Sequence, residues 1–195
     1  MTTERSFRGV SPEDRRALRR ERLIDGLLDV VAAEGTINVT VDKVCAASKL
    51  TKRYFYEGFS DLDELLLAAA DQLFERLYGV MVTASQSDGT VEARIRAVLA
   101  AVVGALDADP RGARLYVECP GHPGLRARRE EAVSAFTTFV FKQVLPPGRN
   151  TKNRAFKTRI LVAGATDLIT GHLDGSIAAT TPEVVTSVTQ LALTL

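Results

Sequence analysis

Apolar residues recur along this chain at three- and four-residue spacing, and the breaks between periodic stretches carry helix caps rather than hairpin turns. Ser11-Pro12-Glu13-Asp14 offers a cap, a proline at the first helical position and acids in the first turn. Leu23, Leu27, Val30 and Val31 then share a face until Gly35, which predicts a helix over 11–34. Thr40 caps a short helix carrying Val41, Val44 and Cys45, and Thr51 caps another after Ser48-Lys49-Leu50. Ser60-Asp61-Leu62-Asp63 reads as a capping box with Asp in place of Glu, ahead of a long helix that turns Leu62, Leu65, Leu66, Ala69, Leu73 and Leu77 inward. Past the polar loop 85–89, helices are predicted at 90–107, 109–119, 124–145, 151–173 and 182–194. Asp109-Pro110, Pro120-Gly121-His122-Pro123-Gly124, Pro146-Pro147-Gly148 and Thr181-Pro182 separate them. Strand signals are nearly absent, so the expected fold is all-α with about nine helices.

Composition narrows the picture. Hydrophobic residues at 46% and charged residues at 25% suit a globular chain that buries its own core. The net charge of +1 says little about a partner, but its distribution says more. Residues 5–22 hold Arg5, Arg8, Arg15, Arg16, Arg19, Arg20 and Arg22 against Glu13, Asp14 and Glu21. The stretch 43–53 adds Lys43, Lys49, Lys52 and Arg53 with no acid among them. A basic arm followed by a short basic segment is a footprint for phosphate, with Arg15, Arg16 and Arg19 as candidate contacts. Two cysteines, Cys45 and Cys119, are too few for a disulfide framework and favour a reducing compartment. The N-terminus lacks the apolar run of a signal peptide, and no stretch is long enough to span a bilayer, so a cytoplasmic protein is expected.

The informative segment is 40–66. Two helices of about two turns joined by a three- or four-residue turn form a helix-turn-helix pattern. Val44, Cys45, Leu50, Phe55 and Phe59 have the spacing to pack these helices on the first one. Thr51, Lys52, Arg53, Tyr54 and Tyr56 are then left outward at the start of the second, where a recognition helix enters the major groove. Lys52 and Arg53 can reach guanine edges or phosphate, and the hydroxyls of Thr40, Thr51, Tyr54 and Tyr56 can donate to phosphate, with Lys49 as a further cation. In Thr40-Val41, Val44-Cys45, Leu50-Thr51, Tyr56, Phe59 and Leu65-Leu66 the chain resembles the tetracycline-repressor-like (TetR) family, position by position over 11–66. It departs at three places: Lys49 stands where the family usually has a turn glycine, Leu62 where a lysine commonly touches phosphate, and Gly58 where tyrosine is frequent.

The resemblance implies a helix-turn-helix domain over 1–60 and a helical ligand-binding and dimerisation domain over 61–195. It further implies a homodimer on double-stranded, pseudo-palindromic operator DNA, a small-molecule effector, and no cofactor, metal or catalytic residue. Met81, Tyr116, Phe136 and Phe139 are candidates for an effector pocket; with Tyr78 and Phe141 they otherwise read as core. The last two helices are the expected dimer interface, through Gly164, Ala165 and Leu168 on one and Val184, Val188 and Leu191 on the other, which give small and apolar stripes. Glu118, Cys119 and His122 cluster in sequence but lack a second His or Cys pair and a group to orient the histidine, and His172 reads as a helix-end or interface residue. A helical ligand-binding protein that does not bind DNA is the alternative. A helical-bundle enzyme would need a Glu-x-x-His or nucleophile–base pair that the chain lacks.

Overall fold

A computed structural model describes residues 11–145 and 151–194. Arg5, Arg8, the Pro146-Pro147-Gly148 break and Leu195 lie outside them. Among the described residues the architecture is nine α-helices: α1 (Pro12–Glu34), α2 (Val41–Ser48), α3 (Lys52–Gly58), α4 (Leu62–Ser85), α5 (Val91–Asp107), α6 (Pro110–Glu118), α7 (Pro123–Phe139), α8 (Thr151–Asp174) and α9 (Thr181–Ala192). Short 3₁₀ turns at Thr36–Asn38 and Cys119–Gly121 and a π-helical turn at Val140–Val144 join them. The all-α expectation and the helix order agree with this. None of the described helices is long and apolar enough to cross a membrane.

Local chemistry starts most helices where the caps predict. Ser11 and Asp14 form a reciprocal capping box, and Thr40 accepts from the Lys43 amide at 3.3 Å. At α4 the box sits one residue later than expected. Asp61, not Ser60, is the cap: it accepts from the Glu64 amide at 2.8 Å, and Glu64 accepts from the Ser60 amide at 2.7 Å. A carboxylate at 61 with a glutamate three residues on satisfies two orphan amides, which the Ser60–Asp63 pairing does not.

One hydrophobic cluster runs from Leu23 and Leu27 of α1 through Leu65 and Leu77 of α4 and Leu115 of α6 to Val184 of α9. Helix α1 packs on α2, α3, α4 and α6, while α5 lies between α4 and α9. Polar ties reinforce the junction of α1 with α6. Arg111 reaches Asp25 at 2.8 Å and Asp29 at 2.6 Å. Glu118, at the end of α6, accepts from the Thr36 amide at 2.6 Å and pairs with Arg114. Gly35 makes this approach possible: its φ of +80° with ψ of 163° is open to glycine, and a β-carbon there would lie 3.0 Å from the Glu118 carboxylate. Glu118 is therefore a latch between the α1–α2 turn and α6, not part of a metal or nucleophile cluster with Cys119 and His122.

Partial burial pushes the Glu118 carboxyl upward, but the Thr36 amide and hydroxyl and the Arg114 guanidinium outweigh it and hold the pKa below 4.5. A carboxyl with a depressed folded pKa contributes stability that is present above the unfolded value and lost as pH falls through the folded one. Glu118→Gln is therefore expected to be less stable at neutral pH and to lose part of the wild type's decline below pH about 4.5. Urea midpoints from pH 7 to 3 check this; parallel curves for both proteins would remove Glu118 from the latch.

Candidate nucleic-acid interface and apolar cavity

Helices α2 and α3 meet across a three-residue turn, Lys49-Leu50-Thr51. Lys49 takes φ 55°, ψ 38°, the left-handed conformation that its place in the motif demands, and it is the one non-glycine residue with positive φ among those described. The turn is pressed onto α1 at Gly26, where an added β-carbon would lie 2.8 Å from the Ser48 amide nitrogen. Phe55 and Phe59 are fully buried, as are Val44 and Leu23 beside them. Burying each ring contributes roughly 1.5–3 kcal/mol.

The basic face of α1 does a different job from the one its sequence suggests. Arg22 donates to the Ser48 carbonyl at 3.0 Å, and Arg20 donates to the Gly58 carbonyl, so each guanidinium closes the C-terminal end of one short helix. Arg20 also lies 3.9 Å over the Phe59 ring and 3.6 Å from Glu64. Arg19 stands 4.8 Å over the Tyr54 ring and 3.6 Å from Glu57. These three arginines clamp the motif, while Arg15 and Arg16 remain exposed. The departures from the family pattern also find their places: Gly58 lies under Arg20, and Leu62 is half-buried against the core.

Seven residues were expected to face DNA, and all seven are exposed. Arg53 is 84% exposed by side chain and its Nε meets Glu57 at 3.0 Å. Tyr56 is 60% exposed, and Tyr54 is less so beneath Arg19. Thr51 sits at the start of α3 without a side-chain capping bond, which leaves its hydroxyl uncommitted. Thr40 keeps a free hydroxyl hydrogen while its oxygen caps α2. The segment that is free of acids in sequence is not free of them in space. Lys52 meets Asp42 at 2.7 Å, which raises its pKa, and Lys43 meets Glu34 at 2.5 Å. Lys49 has no acidic partner among the described residues. Exposed pairs of this kind are worth about 0–1 kcal/mol, so phosphate can replace the carboxylate.

Behind the reading surface, α4, α5, α6, α7, α8 and α9 enclose a cavity of about 80 Å³ with an almost wholly apolar wall. Met81, Tyr116 and Phe136 line it, as expected; Phe139 does not. It lies three residues round the helix from Phe136 and packs edge-on to Tyr78, ring centroids 5.4 Å apart, in a surface groove. Tyr78 is partly exposed and stacks on Phe136, and Phe141 is half-buried, so neither is full core. The wall also includes residues that periodicity did not single out, Ile95, Val98 and Thr166 among them.

The expected dimer stripe is split. Gly164 and Leu191 are exposed and Ala165 and Leu168 are half-buried. Val184 and Val188 are 1% and 6% exposed and belong to the chain's own core, because α9 turns that face onto α5. Phe156 and Ile160, two turns and one turn before Gly164, are instead 60% and 70% exposed. His172 closes α8: Nδ1 is 2.8 Å from the Ala179 carbonyl, and Nε2 is 3.3 Å from the Thr181 hydroxyl. His122 caps α7, accepting from the Leu125 amide at 3.4 Å.

No protein-family model matches the sequence, and no curated protein matches it. Solved structures do. A TetR-like transcriptional regulator from Rhodococcus sp. RHA1 is similar at TM-score 0.68 and 15% identity, over 91% of this chain and 94% of that one. The fatty acid degradation regulator FadR from Bacillus halodurans is similar at 0.75 and 16%, over 90% and 94%. The multidrug binding protein EbrR, complexed with malachite green, is similar at 0.69 and 20%, over 90% and 96%. The described chain therefore has the TetR-like fold.

The left-handed Lys49 yields a test that separates fold from function. Lys49→Gly relieves a conformation that costs a non-glycine residue about 1–2 kcal/mol, against about 0.5–1 kcal/mol of glycine entropy. The variant is expected to gain about 0.5–1 kcal/mol in urea unfolding. A loss of stability would show that the lysine side chain holds the turn.

Proposed function

We propose that this chain is a DNA-binding transcriptional regulator, a homodimer that represses from a pseudo-palindromic operator and is released by a small-molecule effector. Residues 1–60 form the reading unit and 61–195 the effector and dimerisation unit, acting on double-stranded DNA in the cytoplasm. The observation that carries the reading is the start of α3. Thr51, Lys52, Arg53 and Tyr56 all face outward there, on a helix whose opposite face is anchored by two fully buried phenylalanines. An exposed, polar N-terminal turn on a rigidly seated short helix is what the major groove accepts.

Arg53 is the base reader, swinging from Glu57 to a guanine edge; Lys52, Lys49, Thr40, Thr51, Tyr54 and Tyr56 contact phosphate. The dimer forms through α8 and α9, with Phe156, Ile160 and Gly164 on one helix and Leu191 on the other, and with Ala165 and Leu168 beside them. Their exposure leaves an apolar patch for a two-fold partner to cover. Two α3 helices then sit at a spacing of about 34 Å or a multiple of it, as successive major grooves require.

Release runs through α4 and α6. Leu77 and Met81 of α4 and Tyr116 of α6 line the cavity. Two residues beyond Tyr116, Glu118 holds the turn that leads into α2. A molecule that fills the cavity pushes α4 and α6 outward, and that motion changes the distance between the reading heads. Effector and operator affinities are then reciprocally coupled.

Two variants test the halves of this reading. Arg53→Ala is expected to weaken binding to a selected operator by about 1–3 kcal/mol and relax one base position per half-site, whereas Lys52→Ala weakens binding to all sequences alike. DNA selected from random fragments supplies the operator, and a mobility shift across salt gives the slopes; an Arg53→Ala protein with unchanged affinity and selectivity would overturn the assignment. Ile160→Glu, on a side chain exposed in the protomer, is expected to sediment as a folded monomer with weakened operator binding. A dimer that persists in this variant would place the interface elsewhere.

A further inference from the structure

The cavity wall is apolar but for two side chains. Tyr116 and Thr166 both lie on its wall. Burial raises the pKa of the Tyr116 hydroxyl, and the Arg129 guanidinium and the Thr166 and Thr170 hydroxyls act on it in the opposite sense. Arg129, on α7, is the unusual member. Its Nε is buried without a hydrogen-bond partner, its Nη2 meets the Thr170 hydroxyl at 3.5 Å, and its Cζ stands 5.9 Å from the centre of the Tyr116 ring. No carboxylate pairs with it among the described residues, whereas its neighbour Arg128 is paired with both Asp71 at 3.2 Å and Glu131 at 3.0 Å. A half-buried guanidinium with a free donor and no counter-ion is an incomplete arrangement, because a buried charge is ordinarily paired.

We propose that the effector is a small amphipathic monoanion, an apolar chain or ring ending in a carboxylate, held with its tail in the cavity and its carboxylate between the Tyr116 hydroxyl and the Arg129 guanidinium. This rests on the reading of the cavity as the effector site and deepens it. The tail matches the wall formed by residues such as Leu77, Ile95, Val98 and Leu161. The head matches a single guanidinium fork beside the Tyr116 hydroxyl, which suits a planar carboxylate with two acceptor oxygens. The Thr166 and Thr170 hydroxyls already donate to the Val162 and Thr166 carbonyls, each at 2.8 Å. A dianion such as a phosphate monoester would bring a second charge into an apolar enclosure that offers one cation. Arg129 is not itself on the cavity wall; Tyr116, whose ring centre lies 5.9 Å from the Arg129 Cζ, is. A carboxylate arriving at the Tyr116 hydroxyl draws the guanidinium toward it and bears on α6, the helix that carries Glu118.

Calorimetric titration of the full chain with octanoate, 1-octanol and octylamine tests this, since the three probes share a tail and differ in the head. Octanoate is expected to bind about tenfold or more tightly than 1-octanol, with octylamine weakest. In Arg129→Gln that preference disappears while 1-octanol binds as in the wild type, which also reports an intact cavity; Arg129→Lys retains part of the preference. Octanoate binding no tighter than 1-octanol, a preference for octylamine, a preference that survives in Arg129→Gln, or no binding of any probe would each overturn the proposal. The titration contains no DNA, so a chain that binds octanoate through Arg129 but fails to shift any DNA fragment would refute the regulator reading and leave the carboxylate site standing.

Discussion

Helices of eight and seven residues do not hold their shape alone in water, because nucleating a helix is costly and so few residues repay it. The arrangement of α2 and α3 therefore exists only as far as α1 imposes it. The imposition is a clamp with an apolar jaw and a cationic one. Phe55, Phe59 and Val44 sit in a dry seam against Leu23, and Arg20 and Arg22 close the carbonyl ends of α3 and α2. Gly26 lets the backbones come close enough for both jaws to meet. With the inner face spent on this clamp, the polar outer face of α3 is free to be a recognition surface.

The same helix that clamps the motif also joins it to the rest of the chain. Asp25 and Asp29 on its outer side hold Arg111, and the turn that follows α1 is held by Glu118. Helix α6 thus touches the reading unit at one end and contributes Tyr116 to the cavity wall in the same short span. Coupling over that distance needs no long relay. The network is made of exposed and half-exposed pairs, each individually weak.

Arg129 and Lys49 illustrate how a local irregularity carries meaning that a contact map does not. Lys49 is held left-handed by the turn it occupies, at a cost that glycine would not incur. Arg129 is held half-buried without an anion. Both depart from what stability alone would select, and both sit where the chain is read as meeting a negatively charged partner, DNA phosphate in one case and a carboxylate in the other.

Much of this was legible in the linear chain. Thr40 and Asp109-Pro110 mark helix starts through chemistry confined to a few neighbouring residues, and Phe55 and Phe59 declare the buried side of α3 by their spacing. Local hydrogen bonding and periodicity need no tertiary information, so the all-α order, the helix-turn-helix and the outward set from Thr51 to Tyr56 could be read directly. What could not be read was which neighbour each side chain would meet. Arg19, Arg20 and Arg22 look like a phosphate-binding arm until α2 and α3 fold back to present the Ser48 and Gly58 carbonyls and Glu57 to them. The acid-free run from Lys43 to Arg53 acquires Glu34, Asp42 and Glu57 from outside it or beyond its end. Val184 and Val188 look like an interface stripe, but α9 has two faces with apolar residues, and packing on α5 takes that one inward and leaves Leu191 outside, with Phe156 and Ile160 of α8 also exposed. Periodicity identifies a face; only the long-range packing of helices distant in sequence decides what that face is turned toward, because the free energy that selects it belongs to the assembled core and not to any one segment.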